Sequence, residues 1–270
     1  MGGRERLRQL KASSPVIVVG CSRSGTSLVS GILQGCGVNM GDEQSGNRES
    51  KLFQGINRDI LDIVGASWRS LGFLPPADAL ATHYPYMAKM AERALADHLE
   101  SRGDAAFAGR DWGWKDPRSS LTLPVWGRVF PNARVLHVVR AGRDVAASLR
   151  RREDGRNGEG YISGTAVAAQ FMEDVRVWAE YLERAALAMQ AFPVRSLIRY
   201  ETLVREPLET VRRALADLRL DAPGDLGAVV GAVRPARAAD YSRFGVDLAE
   251  VERIENQAFG CLGLPALASR

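Results

Sequence analysis

The sequence predicts an α/β fold: a single domain with a P-loop-type parallel sheet flanked by helices. Three observations carry this. The apolar run Pro15-Val-Ile-Val-Val19 leads directly into Gly20-Cys21-Ser22-Arg23-Ser24-Gly25-Thr26-Ser27. A second run, Arg134-Val-Leu-His-Val-Val139, is apolar enough for a strand covered on both faces. Helical patterns alternate with such strands, as a doubly wound parallel sheet requires.

Taken in order, the first strand is Val16–Val19. A helix follows from about Ser24 to Gln34, with Leu28, Ile32, Leu33 and Cys36 at helical spacing and Gly35 and Gly37 as the stop. Residues 41–51 form a polar loop. Phe53, Ile56, Ile60 and Val64 mark a second amphipathic helix, and 65–84 is irregular. Pro85 to about Arg102 is helical, Ala105–Gly109 reads as a short strand, and Trp112–Arg118 as a turn into a helix near 119–129. The second buried strand ends at Val139, and a helix begins near Gly142. The Gly-rich stretch Asp154–Gly164 reads as a mobile loop. Thr165–Gln190 is a long helix, Val194–Tyr200 a third strand and Pro207–Leu218 a further helix. Within the single domain, 1–14 is an N-terminal extension and 238–270 a weakly specified tail.

Composition narrows the function class. The chain has 270 residues, 46% hydrophobic and 25% charged, enough to bury a full core. A net charge of +4 with surplus Arg suits a polyanionic small ligand. Nucleic acid is not an expected partner, because the basic residues form no stripe beyond Arg150-Arg151-Arg152. Three Cys without metal spacing argue against a disulfide framework or a zinc site. No apolar stretch reaches the ~20 residues that span a bilayer, so no transmembrane segment is expected. Met1–Ser14 is charged with no signal-peptide core behind it, and a cytoplasmic protein is the expectation. Nothing in the sequence speaks to oligomeric state.

The chemistry begins at the first loop. A strand, a Gly-rich turn and a helix N-terminus together point backbone N–H groups and a helix dipole at an anion. The segment nearly matches G-x-x-x-x-G-K-[ST]. Thr26 stands where that motif has Lys, and the cation comes earlier, at Arg23. A nucleotide phosphate is therefore the expected ligand, with a cation pattern wrong for ordinary ATP chemistry. The second site begins where Val135–Val139 ends in Arg140. Ligands of open α/β sheets sit beyond the C-terminal strand ends, and an ATP-using enzyme commonly has Asp there to hold Mg²⁺. A cation instead points to direct binding of a second anion. Ser148 lies eight residues on, with Arg152 one helical turn beyond it. A nucleoside carrying phosphates at both ends satisfies both loops.

These segments resemble the sulfotransferases that use 3′-phosphoadenosine-5′-phosphosulfate (PAPS). Ser22–Ser27 is similar to their 5′-phosphosulfate loop. Val139-Arg140-Ala-Gly-Arg143-Asp144-Val-Ala-Ala-Ser148 is similar to their 3′-phosphate site. Phe130–Arg134, Lys115–Arg118 and Arg199–Leu203 fit as well, so the resemblance runs in order over roughly 15–210. It is closer to the tyrosylprotein and bacterial branch than to the cytosolic phenol branch. The implied reaction is in-line transfer of a sulfuryl group from PAPS to an acceptor hydroxyl, with no metal.

The resemblance also implies roles. Arg23 clamps the 5′-phosphosulfate, aided by Ser24, Gly25, Thr26 and Ser27, residues that equally suit plain helix capping. Arg140 and Ser148 take the 3′-phosphate, with Arg152 as a helper. Tyr200 either contacts the adenosine or is a buried strand-end Tyr. Lys115 either touches the sulfuryl group or forms a salt bridge to Asp116 or elsewhere, while Asp116 and Arg118 support their turn. For the general base, Asn47-Arg48-Glu49, followed eight residues on by Asn57-Arg58-Asp59-Ile60-Leu61, resembles the segment that carries a catalytic Glu in the tyrosylprotein branch, which makes Glu49 the candidate; the alternative is a solvated loop carboxylate. His137 reads as core, His98 as packing, and His83 as an open candidate. Trp68, Phe73, Tyr84 and Tyr86 either wall an acceptor pocket or pack the core, and Asp154–Gly164 is a candidate lid. Small-molecule, glycan, lipid and peptide hydroxyls all remain open as acceptors. The rival readings are a phosphate-loop kinase using Mg-ATP and a non-catalytic nucleotide-binding module.

Overall fold

At the centre lie β1 (Val16–Val19), β2 (Gly113–Lys115), β3 (Arg134–Val139) and β4 (Val194–Arg199), hydrogen-bonded in the order β2-β1-β3-β4. All pairings are parallel; Val18 lies opposite Lys115 on one side and Leu136 on the other. The computed structural model describes residues 2–41, 43–71, 82–157, 164–234 and 241–265. Every residue of β1 is fully buried, as its unbroken apolar run requires.

Alternation along the strands sorts the core into two layers. Ile17, Val19, Val135 and Val139 face α3 (Lys51–Ile63), α4 (Tyr84–Arg102), α5 (Ser119–Val129), α6 (Gly142–Asn157) and α7 (Gly164–Ala188). Val16, Val18, Leu136 and Val138 face α2 (Thr26–Gly35) and α9 (Pro207–Asp217), the latter preceded by the short α8 (Tyr200–Arg205). The first layer is dominated by aromatic rings. Phe53 stacks flat on Trp114 at 3.8 Å, and Trp112, Trp126, Phe107 and Phe130 surround the pair. Such contacts add about 0.5–1.5 kcal/mol each beyond burial, and they fix the strand that ends on Lys115.

Four local expectations need correction. Trp112–Arg118 is not simply a turn, because Gly113–Lys115 forms β2. Three residues are too few to show a period, and β1 supplies the pairing that makes them a strand. Ala105–Gly109 contains a 3-10 turn, Ala105–Phe107, instead of a strand. The stretch read as a loop from Asp154 is helical through Asn157, and α7 starts at Gly164; 158–163 lie outside the described residues. The C-terminal stretch read as weakly specified carries α11 (Leu248–Gly260), preceded by the short helix α10 (Leu226–Val230). Val251, Ala258 and Phe259, at i, i+7 and i+8, are fully buried. The N-terminal extension holds α1 (Gly3–Lys11), where Leu7 is buried and the Arg6 guanidinium donates to the Leu99 carbonyl (3.1 Å).

Candidate active site

Each strand delivers a candidate site residue at its C-terminal end. β1 runs into the Gly20–Gly25 loop, β2 ends on Lys115, β3 is followed by Arg140 and β4 by Tyr200. Parallel strands bring those ends to one edge of the sheet. A cleft of about 650 Å³ opens there. Its walls include Arg23, Gly25, Thr26, Ser27, Glu49, Lys115, Arg140, Ser148, Arg152 and Tyr200. Of the residues given a cofactor or catalytic role from the sequence, Ser24 is not on the wall; it is buried within the loop, its Oγ without a partner.

The loop conformation explains its glycines. Gly20 has φ 140°, and a Cβ there would lie 2.3 Å from the Val138 carbonyl oxygen. Gly25 caps α2 at φ 96°, and a Cβ would lie 2.4 Å from the Tyr200 ring. Both positions therefore exclude other residues. Arg23 adopts φ 71°, uncommon for a non-glycine residue. Its Nε donates to Ser148 Oγ (3.0 Å), which joins the two loops expected to hold the two ends of the ligand. Ser27 Oγ donates to the Asn47 carbonyl (2.7 Å), so this hydroxyl ties α2 to the segment carrying Glu49.

The cleft is crowded with cations. Partial burial, with the like charges of Arg152, Arg140 and Arg151, pushes the Arg23 guanidinium below its ordinary pKa. Arg140 is 8% exposed. Its Nη1 donates to the Arg23 carbonyl (3.2 Å), its Nη2 lies 3.8 Å from Asp144, and its guanidinium sits 4.6 Å over the Tyr200 ring. The Nε of Arg140 is buried without a partner. An unpaired buried guanidinium N–H is costly unless a ligand meets it.

Lys115 and Glu49 meet on the opposite wall. Lys115 Nζ donates to Glu49 Oε1 (3.3 Å), and Lys115 is 1% exposed. Burial pulls the ammonium below its usual pKa, and Glu49 offsets part of that. The pairing is built by backbone: Ser50 N–H donates to the Lys115 carbonyl (3.3 Å), and Ser45 N–H to the Glu49 carbonyl (2.8 Å). Gln54 holds the other carboxylate oxygen (2.6 Å). Lys115 thus pairs with Glu49 instead of Asp116. Asp116 accepts from Arg118 (2.7 Å) and from the fully buried Asn57 (2.8 Å). Asn57 also takes Thr122 (2.6 Å) and Trp126 (2.8 Å), which makes it the hub under this turn.

The sequence matches the sulfotransferase family over residues 15–223. The chain belongs to this family. A search of curated proteins gives no match. Among solved structures, sulfotransferase STF1 of Mycobacterium tuberculosis H37Rv is 16% identical, with a TM-score of 0.57, covering 94% of this chain and 79% of that one. STF9 of Mycobacterium avium is 14% identical, with a TM-score of 0.58 and coverage of 97% and 80%. The Alicyclobacillus acidocaldarius sulfotransferase is 18% identical, with a TM-score of 0.51 and coverage of 93% and 94%. At these identities the likeness is one of fold; the family match over most of the chain carries the activity, sulfuryl transfer. The kinase reading is not favoured, and the enzyme is not merely a nucleotide-binding module.

A second cleft of about 800 Å³ adjoins the first and shares Ser22, Asn47, Glu49, Pro117 and Arg152 with it. Trp68 lines it and is 38% exposed. Of the other aromatics considered for an acceptor wall, Tyr84 is buried beneath Arg128, Tyr86 is 65% exposed outside both clefts, and Phe73 lies outside the described residues. His137 is core, His98 packs edge-on against Phe107 (5.9 Å), and His83 sits exposed beside Thr82; none lines either cleft. Asn47, Asn57 and Pro117 stand in segments the sequence singled out but were given no role of their own; Asn47 and Pro117 line the wall. Asn57 did carry a signal: a polar residue one position from Ile56, on the apolar face of an amphipathic helix.

Proposed function

We propose that this sulfotransferase takes its sulfuryl group from PAPS and delivers it to an acceptor hydroxyl held in the second cleft. The observation that carries the donor reading is the convergence of Arg23, Arg140 and Arg152 on one cleft, with a buried Arg140 N–H unpaired. These residues fit a doubly phosphorylated nucleotide. Arg23 and the loop Ser24–Ser27 would hold the 5′ end, Arg140, Ser148 and Arg152 the 3′-phosphate, and Tyr200 the nucleoside. When bound, PAPS supplies the sulfuryl group, which passes in line to the acceptor oxygen.

The chain's own residues do the rest. Glu49 lines both clefts, so a hydroxyl entering from the Trp68 side meets its carboxylate, which takes up the proton. Lys115, beside Glu49, offsets negative charge on the transferring group. Arg23 offsets charge on the departing phosphate oxygen. Catalysis is then positioning and fixed charge. The resemblance of the Glu49 segment to the tyrosylprotein branch supports the same assignment. Small-molecule, glycan, lipid and peptide hydroxyls are all compatible with a cleft whose described aromatic wall is Trp68. Cys21, Cys36 and Cys261 are free thiols, which supports a cytoplasmic, reducing location; no helix among the described residues is long and apolar enough to cross a membrane.

The test is transfer of label from [³⁵S]PAPS to a disaccharide, a tyrosyl peptide, a phenol and a long-chain alcohol. Wild type is expected to label at least one of them. Glu49→Gln is expected to lower that rate by about 10²–10³-fold while binding 3′,5′-bisphosphoadenosine (PAP) normally. A Gln variant at full rate removes Glu49 from the role of base.

A further inference from the structure

The C-terminal segment beyond the family match reaches back to the β3–α6 turn and grips it at two points. Tyr241 OH donates to Asp144 Oδ1 (2.7 Å), and the other oxygen of that carboxylate lies 3.8 Å from Arg140 Nη2. One turn of helix away from Arg140, Asp144 has two oxygens and two partners, so the phenol fixes how the carboxylate is rotated toward the guanidinium. The second grip is Glu255 on α11, which is 1% exposed. It accepts from the Arg143 backbone N–H (2.7 Å), from Arg143 Nε (2.8 Å) and from Arg143 Nη2 (2.5 Å). On the far side, Ala141 N–H donates to Glu201 Oε1 (2.9 Å).

Two N–H groups at the start of α6 are therefore taken by protein carboxylates. Anion binding at this turn falls to side chains, Arg140 above all. Its buried, unpartnered Nε is the free donor that a ligand would meet. The segment is also packed in place: Phe244 lies 4.8 Å from Phe171, Phe259 meets Trp178 edge-on at 5.5 Å, and Gly142 leaves no room for a Cβ, which would fall 2.6 Å from Trp178.

We propose that Tyr241 is a positioning residue for the 3′-phosphate site, acting through Asp144 to hold Arg140 in its ligand-binding orientation, with the Arg143–Glu255 pair anchoring the segment that carries it. The proposal rests on the donor reading above. Burial and the adjacent Asp144 raise the Tyr241 phenol, so it stays a proton donor across the working pH range.

The experiment is calorimetric titration of wild type and Tyr241→Phe with PAP and with adenosine 5′-monophosphate, which lacks only the 3′-phosphate. Wild type binds PAP more tightly. Tyr241→Phe is expected to weaken PAP about five- to tenfold, leave the monophosphate unchanged, raise KM for PAPS equally and leave kcat alone. Asp144→Asn, which keeps the side-chain shape and removes the charge, is expected to lose at least as much PAP affinity. If wild type prefers PAP and Tyr241→Phe keeps that preference intact, the positioning role is wrong. Equal weakening of both nucleotides makes Tyr241 a support of the fold and also overturns it. A wild type indifferent to the 3′-phosphate overturns the donor reading itself, and the proposal with it.

Discussion

His137 and Lys115 show two fates for a titratable side chain buried near the same strand ends. His137 faces the aromatic layer from β3, is 1% exposed, and its Nδ1 has no partner. Burial lowers its imidazole to about 4, so it stays neutral in the fold. The unfolded chain, with an ordinary value near 6.5, binds the proton first. The native state is therefore favoured above pH ~6.5 and loses that advantage as pH falls toward 4. Urea unfolding of wild type should lose about 2 to 3 kcal/mol more than His137→Leu between pH 7.5 and pH 4.5. Equal losses contradict a buried neutral imidazole. Lys115 is as deeply buried but has Glu49 at 3.3 Å, whose carboxylate offsets part of the burial that pulls its ammonium below the usual range.

At the scale of the element, the strand–loop–helix unit of β1 and α2 was the most legible part of the chain, because its constraints are local. Gly20, Gly25, the buried run and the cation at Arg23 all sit within twelve residues. Gly25→Ala puts a methyl group into the Tyr200 ring at φ 96°. It should cost about 3 kcal/mol from strain and overpacking together. In a Tyr200→Ala background the packing part should vanish, so the cost there should fall to roughly half; an undiminished cost contradicts the clash. β2 and α11 were less legible for an opposite reason, since tertiary contact makes them. Gly113–Lys115 is a strand only because β1 and Phe53 receive it, and α11 holds its place through Trp178, Arg143 and a sparse apolar spacing. The pairing of Lys115 with Glu49 was hidden likewise: both residues were singled out, but only the Ser50–Lys115 backbone contact brings them together.

Over the whole molecule, four parallel strands turn separate sequence motifs into one site, since residues 23, 115, 140 and 200 end or follow four different strands and meet at one edge of the sheet. Recognition of a nucleotide by its 3′-phosphate at this edge is put to the test by thermal unfolding of wild type and Arg140→Ala with PAP, Mg-ATP or no ligand. PAP at 100 Kd should stabilise wild type by about 2.7 kcal/mol, Mg-ATP at the same concentration should do far less, and Arg140→Ala should lose the PAP shift. Equal shifts by PAP and Mg-ATP, unchanged in Arg140→Ala, would contradict it.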